Sequence, residues 1–320
     1  MTMSTTTARR SLLFAPALAV GLGIASTSMP ADDAESPRTG PFTGASRPVL
    51  VAPGLVSTHD GEYSPTYDVE RAELIYMRRT PGRYDYTLYS TRWTGSAWSQ
   101  PSVLPFSGQN RDDGSYFSPD GNVLVFDSNR PAQGLARGSI NIWRTQRTVD
   151  GWSEPELVRA ASENPPPPNG VGADEFGPLL DAQGNLYFYS FRPPYRGGHH
   201  YVVRADEPTQ ARLETKLPDP SAATFISYAT LSADGNTAVL EGRALGRNDT
   251  DLFLSLRDTS GAWSEPRPIE AVNTTANEGT PYLTSDGAYL LFGSKRPHQG
   301  STSSESDVYV IEMTSVLAGR

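Results

Sequence analysis

The sequence predicts an all-β fold, a five-bladed β-propeller of four-stranded antiparallel blades whose ring is closed by the N-terminal strand. Three observations carry this. First, Ser118-Pro119-Asp120-Gly121, the apolar run Val123-Leu124-Val125-Phe126 and then Asn129-Arg130-Pro131 recur in edited form along the chain. Second, the glycine position of that phrase falls at 71, 121, 184, 235 and 287, a period near 50 with one longer interval. Turn, strand, turn, strand at such a period is the mark of a propeller blade. Third, the last unit stops after three strands, and an unassigned strand waits at the other end of the chain.

Each unit reads as strands A to D. Strand A ends in an Asp-Gly turn, whose glycine supplies the positive φ of a tight hairpin: Asp120-Gly121, Gln183-Gly184, Asp234-Gly235 and Asp286-Gly287, with Arg71 standing at that place in the first unit. Strand B is the apolar run, rich in β-branched and aromatic residues: Leu74-Ile75-Tyr76, Val123 to Phe126, Leu186 to Tyr189, Ala238-Val239-Leu240 and Tyr289 to Phe292. Strand C is a second run: Leu88-Tyr89, Ile142-Trp143, Tyr201-Val202-Val203, Leu252-Phe253-Leu254 and Val308-Tyr309-Val310. Strand D is announced by Trp98-Ser99-Gln100-Pro101, Trp152-Ser153-Glu154-Pro155 and Trp263-Ser264-Glu265-Pro266. Proline is tolerated there because the outermost strand has a free edge. The unit built on Leu186 has only Leu213 to Leu217 at that place. The final unit has nothing, but Pro48-Val49-Leu50-Val51 precedes Asp60-Gly61 by the 13 residues that separate Pro101 from Gly114. The N-terminal strand is therefore expected to complete the last blade, which removes the edge of an open array.

Taken together, the Ser-Pro-Asp-Gly turn, the apolar run, Ser-Asn-Arg-Pro and Trp-Ser-Glu-Pro resemble the WD40-like propeller repeat (PD40) of TolB-type propellers. Similar repeats occur in tricorn-type and prolyl-peptidase propellers and in oligogalacturonate lyases. The resemblance spans about residues 45 to 313 and implies the fold. For function it implies either a binding scaffold or a carbohydrate-active enzyme, since one fold hosts many activities.

The chain divides into a secretory signal peptide at 1–31, a polar disordered lead-in at 32–45, the propeller at 46–313 and a tail at 314–320. Arg9-Arg10, an apolar stretch at 12–25 and the small residues that follow have the order of a cleaved leader, and the stretch is too short to span a bilayer. A periplasmic or secreted location follows. No stretch shows helical periodicity, so almost no helix is expected. Cysteine is absent, which excludes disulfides, thiolate metal sites, a cysteine nucleophile and a lipidated cysteine. The net charge of −9, with no basic run, argues against nucleic acid and anionic membranes. Pro165 to Pro168 accounts for the longer interval as a stiff loop.

Strands A and B are antiparallel, so the start of A, the end of B and the start of C share one rim. The start of A carries Glu62, Asp112 with Asp113 beside it, Glu175, Ile226 and Glu278; the end of B carries Arg79, Arg130, Arg192, Arg243 and Arg296. Their recurrence favours a structural staple, each guanidinium pairing with a carboxylate of its own or the next blade. The sharper alternative is a glycoside hydrolase site built on Glu62, Asp112 or Asp113, and Glu175, one acid protonating the leaving oxygen and another activating water. His59, His199, His200 and His298 map to loops on the same rim. They read as exposed loop residues, with a metal-dependent lyase site as the alternative. A Gly-x-Ser-x-Gly elbow, a Walker loop and a dinucleotide fingerprint are missing, so no cofactor is implied. The leading expectation is a non-catalytic, monomeric binding propeller that recognises a protein or cell-envelope glycan on this rim, through Glu62, Asp112, Glu175, Glu278 and the five arginines, with no membrane insertion.

Overall fold

Each apolar run becomes the second strand of an antiparallel sheet, and five such sheets stand in a ring in the computed structural model. The structure describes residues 40–79, 85–162, 173–192, 198–214, 217–218, 223–298 and 305–319. All fall within the unit Thr39–Arg320; the other unit, Met1–Arg38, lies outside them, and so do the signal-peptide reading and the 165–168 proline run.

Blade 1 contains Glu62–Asp68, Glu73–Arg79, Tyr86–Arg92 and Ser102–Val103, in that order from the axis outward. Blade 2 contains Asp112–Phe117, Val123–Ser128, Asn141–Thr148 and Glu156–Leu157, with the extra strand Gly151–Trp152 paired to the third. Blade 3 contains Glu175–Leu180, Leu186–Ser190, His199–Val203 and Ala211–Leu213; blade 4 contains Ala223–Leu231, Thr237–Ala244, Asp251–Leu256 and Arg267–Pro268. Blade 5 contains Glu278–Leu283, Tyr289–Ser294 and Asp307–Glu312, and its outer strand is Val49–Leu50.

That last pairing closes the ring. Val49 lies opposite Val310 and Leu50 opposite Tyr309, and the Val51 amide donates to the Val308 carbonyl at 2.9 Å. The closure begins earlier in the chain than Val49. Residues 40–43 form a turn that seats Phe42, 4% exposed, between aromatic rings of two blades: Tyr67 at 4.9 Å and Trp98 at 5.8 Å on blade 1, and Tyr289 at 5.5 Å on blade 5. At the other end one short helix, Met313–Ala318, buries Met313 and Val316.

The Trp-Ser-x-Pro phrase binds strand D to strand C through its serine. The Ser99, Ser153 and Ser264 carbonyls each accept from a strand C hydroxyl, of Thr91, Thr145 and Ser255, at 2.6 Å. The Asp-Gly turns form as expected, with φ of 67° at Gly121 and 71° at Gly235. In blade 1 the left-handed residue is Ala72, not Arg71. Arg71 instead donates to Asp68 at 2.8 Å and to Asn122 at 2.9 Å, so it grips the turn of blade 2.

Each innermost strand lies beside the innermost strands of both neighbouring blades. Tyr116 of blade 2 and Tyr282 of blade 5 meet edge to face at 5.0 Å. Their hydroxyls bond Thr230 of blade 4 at 2.9 Å and the Tyr67 carbonyl of blade 1 at 3.2 Å. Residues of four blades thus fill the axis at this level.

One feature recurs that the sequence did not announce. Every A–B pair shifts register by a bulge near the start of strand A. In four blades the extra residue is left-handed: Ser64 at φ 48°, Gly114 at 54°, Gly177 at 56° and Thr280 at 48°. A bulge bends the strand and re-aims its side chains, and holding Ser and Thr in this conformation costs strain that concentrates at the channel mouth.

Candidate functional site

The rim residues expected from the repeat form closed units inside their own blades. Glu62, Asp112, Glu175 and Glu278 are each fully buried at 0% exposure. Arg130 donates to Asp112 at 2.6 Å, Arg192 to Glu175 at 2.8 Å, and Arg296 lies 3.4 Å from Glu278. A serine at the end of strand B joins each pair: Ser128 at 2.7 Å, Ser190 at 3.1 Å and Ser294 at 2.7 Å from the carboxylate. Each guanidinium also stacks between rings of strands B and C, as Arg130 does over Phe126 at 4.9 Å and Trp143 at 5.3 Å. Hydrogen bonding and stacking together immobilise the fork.

Blade 1 departs from the expected register. Glu62 lies opposite Arg78, at the place where the other blades have serine, and Arg78 Nε donates to Glu62 at 2.8 Å. Arg79, expected in that role, points to the other face because side chains alternate along a strand, and pairs with Glu305. In blade 4 Ile226 stands where the acid would be, and Arg243 is exposed and lines the channel mouth.

The carboxylates Glu62, Asp112 and Glu175 are thus each held by an arginine of their own blade, and the histidines do not gather at one place. His59 precedes blade 1 and is 82% exposed beside Asp60, while His298 bonds Asp307 at 2.9 Å in blade 5. His199 and His200 lie in strand C of blade 3 and not in a loop. Burial pushes the His200 imidazole down to about 4. Among the described residues, no three His, Asp or Glu side chains cluster so as to hold a metal ion.

A different set converges on the axis. A depression of about 400 Å³ opens at the channel mouth, lined by Tyr63, Tyr86, Asp113, Tyr228, Glu241 and Arg243 among others. Of the residues expected on the rim, two reach it, Arg243 and Asp113. The Asp113 carboxylate accepts from Ser64 Oγ at 3.2 Å and the Gly114 amide at 2.7 Å, with Arg111 at 3.3 Å. Directly opposite across the strand pair stands Asp127, fully buried. Its Oδ2 accepts from the bulge amide of Gly177 at 3.2 Å in the next blade, and its Oδ1 has no partner. Glu241 repeats this reach from blade 4 to blade 5, accepting from the bulge amide of Thr280 at 2.7 Å and from Ser227 at 2.9 Å.

The electrostatics follow from this crowding. Burial, with Asp113 beside it, pushes the Asp127 carboxyl well above the usual carboxylate range. Burial also raises Glu241, against the pull of the Thr280 amide and the Ser227 hydroxyl. Tyr228, which lines the depression with Asp113 and Glu241, is raised by burial and then by the charges of Asp113, Asp127 and Glu241. It gets there by crossing blade 3 at Gly177, where a Cβ would stand 2.9 Å from its ring.

Asp127, Glu241 and Tyr228 are functional candidates that repeat logic passes over, because the acid recurs in only two blades and the phenol in none. A signal was available for the acids: each ends a buried apolar run, Val123-Leu124-Val125-Phe126-Asp127 and Ala238-Val239-Leu240-Glu241.

The raised carboxyls give a pH dependence of defined sign. A group whose folded pKa exceeds its unfolded one contributes stability that is complete below the unfolded pKa, about pH 4 for a carboxylate, and is lost as pH rises through the folded value. Asp127→Asn keeps an acceptor for Gly177 and removes the titration. Urea unfolding between pH 4 and pH 8 is expected to give the variant a flatter profile and greater stability than the parent at the alkaline end, the difference growing by at most about 1.4 kcal/mol per pH unit. Parallel profiles would show that Asp127 stays ionised.

No family model matches the chain, and no curated protein matches it. Solved structures do. TolB from Acinetobacter baumannii is 15% identical, with a TM-score of 0.48 over 80% of this chain; the chain spans 55% of that protein's length. The arabinanase Arb43A of Bacillus subtilis is 12% identical, with a TM-score of 0.52, covering 80% of this chain and 95% of that one. A gluconolactonase of Xanthomonas campestris is 15% identical, with a TM-score of 0.46 and coverage of 83% and 81%. At these identities the likeness establishes the fold alone. No helix among the described residues is long and apolar enough to cross a membrane.

Proposed function

We propose that this is an exported binding propeller of the WD40-like repeat class that takes a glycan in the mouth of its central channel. One observation carries the reading: the rim arginines and carboxylates of four blades are consumed by their own staples, whereas phenols, carboxylates and amides from blades 1, 2, 4 and 5 gather around one depression. Phenol rings cover the apolar faces of a sugar, and fixed carboxylates and amides accept and donate to its hydroxyls. A rigid ring presenting contacts from several blades suits binding. The test is calorimetric titration with oligosaccharides from bacterial and plant envelope polysaccharides. A binder should emerge, and Tyr228→Ala should weaken it about tenfold or more, as loss of a central aromatic contact does. Unchanged affinity in that variant, or recovery of a protein partner alone from envelope extracts, overturns the reading.

A second reading, glycan hydrolysis, is favoured by one feature: Glu241, whose carboxyl burial raises, lines the depression together with Asp113. A raised carboxyl that shares a site with a second carboxyl is the pairing glycosidic cleavage uses. Product release from a bound glycan that Glu241→Gln abolishes, with affinity retained, would establish it.

A further inference from the structure

A second cleft, of about 610 Å³, lies beside the channel mouth between blades 1 and 2. Two arginines line it, Arg111 and Arg137, together with Gln109, Asn110 and Thr87. We propose that this cleft holds the anionic substituent, a carboxylate or a sulfate ester, of the glycan bound at the mouth. The proposal rests on the glycan reading above and adds the chemical class of the ligand.

The argument begins with Arg111. Its backbone amide donates to Asn129 Oδ1 at 2.9 Å and its guanidinium lies over the Tyr86 ring at 4.9 Å, so the fork is held in place. It spends little of its donor capacity on the protein: Nη2 reaches Asp113 at 3.3 Å, and Nε is buried with no acceptor. A guanidinium has five donors in a fixed fork that matches an oxyanion. Nη1, which makes no hydrogen bond, is the donor left for an anion's oxygen at the cleft. Arg137 is the second clamp. It is exposed on the loop that forms the far wall, and it takes part in none of the ion pairs among the described residues. Arg78, Arg130, Arg192 and Arg296 contrast with both, because each is closed on its own buried carboxylate.

The chain's net charge of −9 opposes anions at long range, but screening limits that field to about 8–10 Å, while the two guanidinium groups act at contact. Asp85 also lines the cleft. It supplies an acceptor for a hydroxyl next to the anion, which favours a hydroxylated, acidic sugar over a bare ion. The cleft and the mouth adjoin at strand C of blade 1 and at Arg111: Asp85 and Thr87 line the cleft, Tyr86 between them lines the mouth, and Arg111, which lines the cleft, meets the mouth residues Asp113 and Tyr86 through its guanidinium. The alternation of Asp85, Tyr86 and Thr87 is that expected of a strand.

Calorimetry with a glucuronate-containing hexasaccharide, its carboxyl-reduced form and a sulfated counterpart tests the proposal. Reduction is expected to weaken binding about tenfold or more, the scale of a lost charge-assisted contact. Arg137→Ala should produce the same loss for the acidic ligands and none for the reduced one. The sulfated arm decides whether carboxylate, sulfate or both are accepted. Equal affinity for the acidic and reduced forms, or no effect of Arg137→Ala, overturns the proposal. Thermal shifts with free glucuronate and inorganic sulfate separate it from the glycan reading. If no oligosaccharide binds but these anions stabilise the parent and not Arg137→Ala, the glycan reading falls and the anion cleft stands. If neither they nor any oligosaccharide gives an Arg137-dependent signal, the cleft proposal falls by itself.

Discussion

Deletion of residues 40–52 is expected to abolish the cooperative unfolding transition and to convert the protein into an aggregating species. The segment supplies the outer strand of blade 5 through the Val49 and Leu50 pairings. It also supplies Val51, 3% exposed, and Phe42, 4% exposed. Without it, strand C of blade 5 presents a row of unpaired backbone groups, the template on which other chains add. Phe42 touches rings of blades 1 and 5, so its loss also unties the two ends of the ring. A single Phe42→Ala replacement should cost about 3–5 kcal/mol, the range for a buried phenylalanine truncated in a core. Calorimetric scanning and light scattering read both outcomes. Addition of a synthetic peptide spanning 40–57 should restore a transition to the deleted chain. A deletion variant that melts cooperatively near the parent's temperature would show that the ring does not depend on this closure.

The second large effect is expected at Asp112. Its carboxylate is fully buried and accepts from Arg130 at 2.6 Å, Ser128 at 2.7 Å and Ser107 at 2.7 Å. Asp112→Ala leaves the guanidinium of Arg130, 10% exposed, without a counterion in a site from which water is largely excluded. Removing one partner of such a pair costs about 3–5 kcal/mol, a large share of the stability of an ordinary domain. Arg130→Met in the same background should recover much of the loss, because it withdraws the unpaired charge and keeps the packing over Phe126 and Trp143. Arg144 and Glu156, 51% and 69% exposed, provide the contrast: their separation should cost no more than about 1 kcal/mol. Equal costs for the two pairs in urea titration would remove the staple from its structural role.

The staple and the closing strand were both legible before any coordinates, for the same reason. The start of strand A and the end of strand B are set opposite one another by a hairpin turn, so a recurring acid and a recurring arginine at those places must face each other. Blade 1 shows the limit of that logic. There Arg78 stands two positions before the place that arginine takes in blade 2, opposite Glu62, and counting apolar runs could not tell it from its neighbour Arg79.

The sequence by itself determined the blade number, the strand order within a blade, the closure by residues near Val49 and the pairing of three buried carboxylates, because each depends on local period, turn chemistry or hairpin register. Only the tertiary structure decided which side chains face the axis. That choice depends on bulges at Ser64, Gly114, Gly177 and Thr280, and on circular contacts that set Tyr228 across Gly177 and join Glu241 to the amide of Thr280 in the next blade. An acid at that place of strand B occurs in two blades, Asp127 and Glu241, and it reaches the bulge amide of the neighbouring blade, a contact between repeats that the period within one repeat does not record.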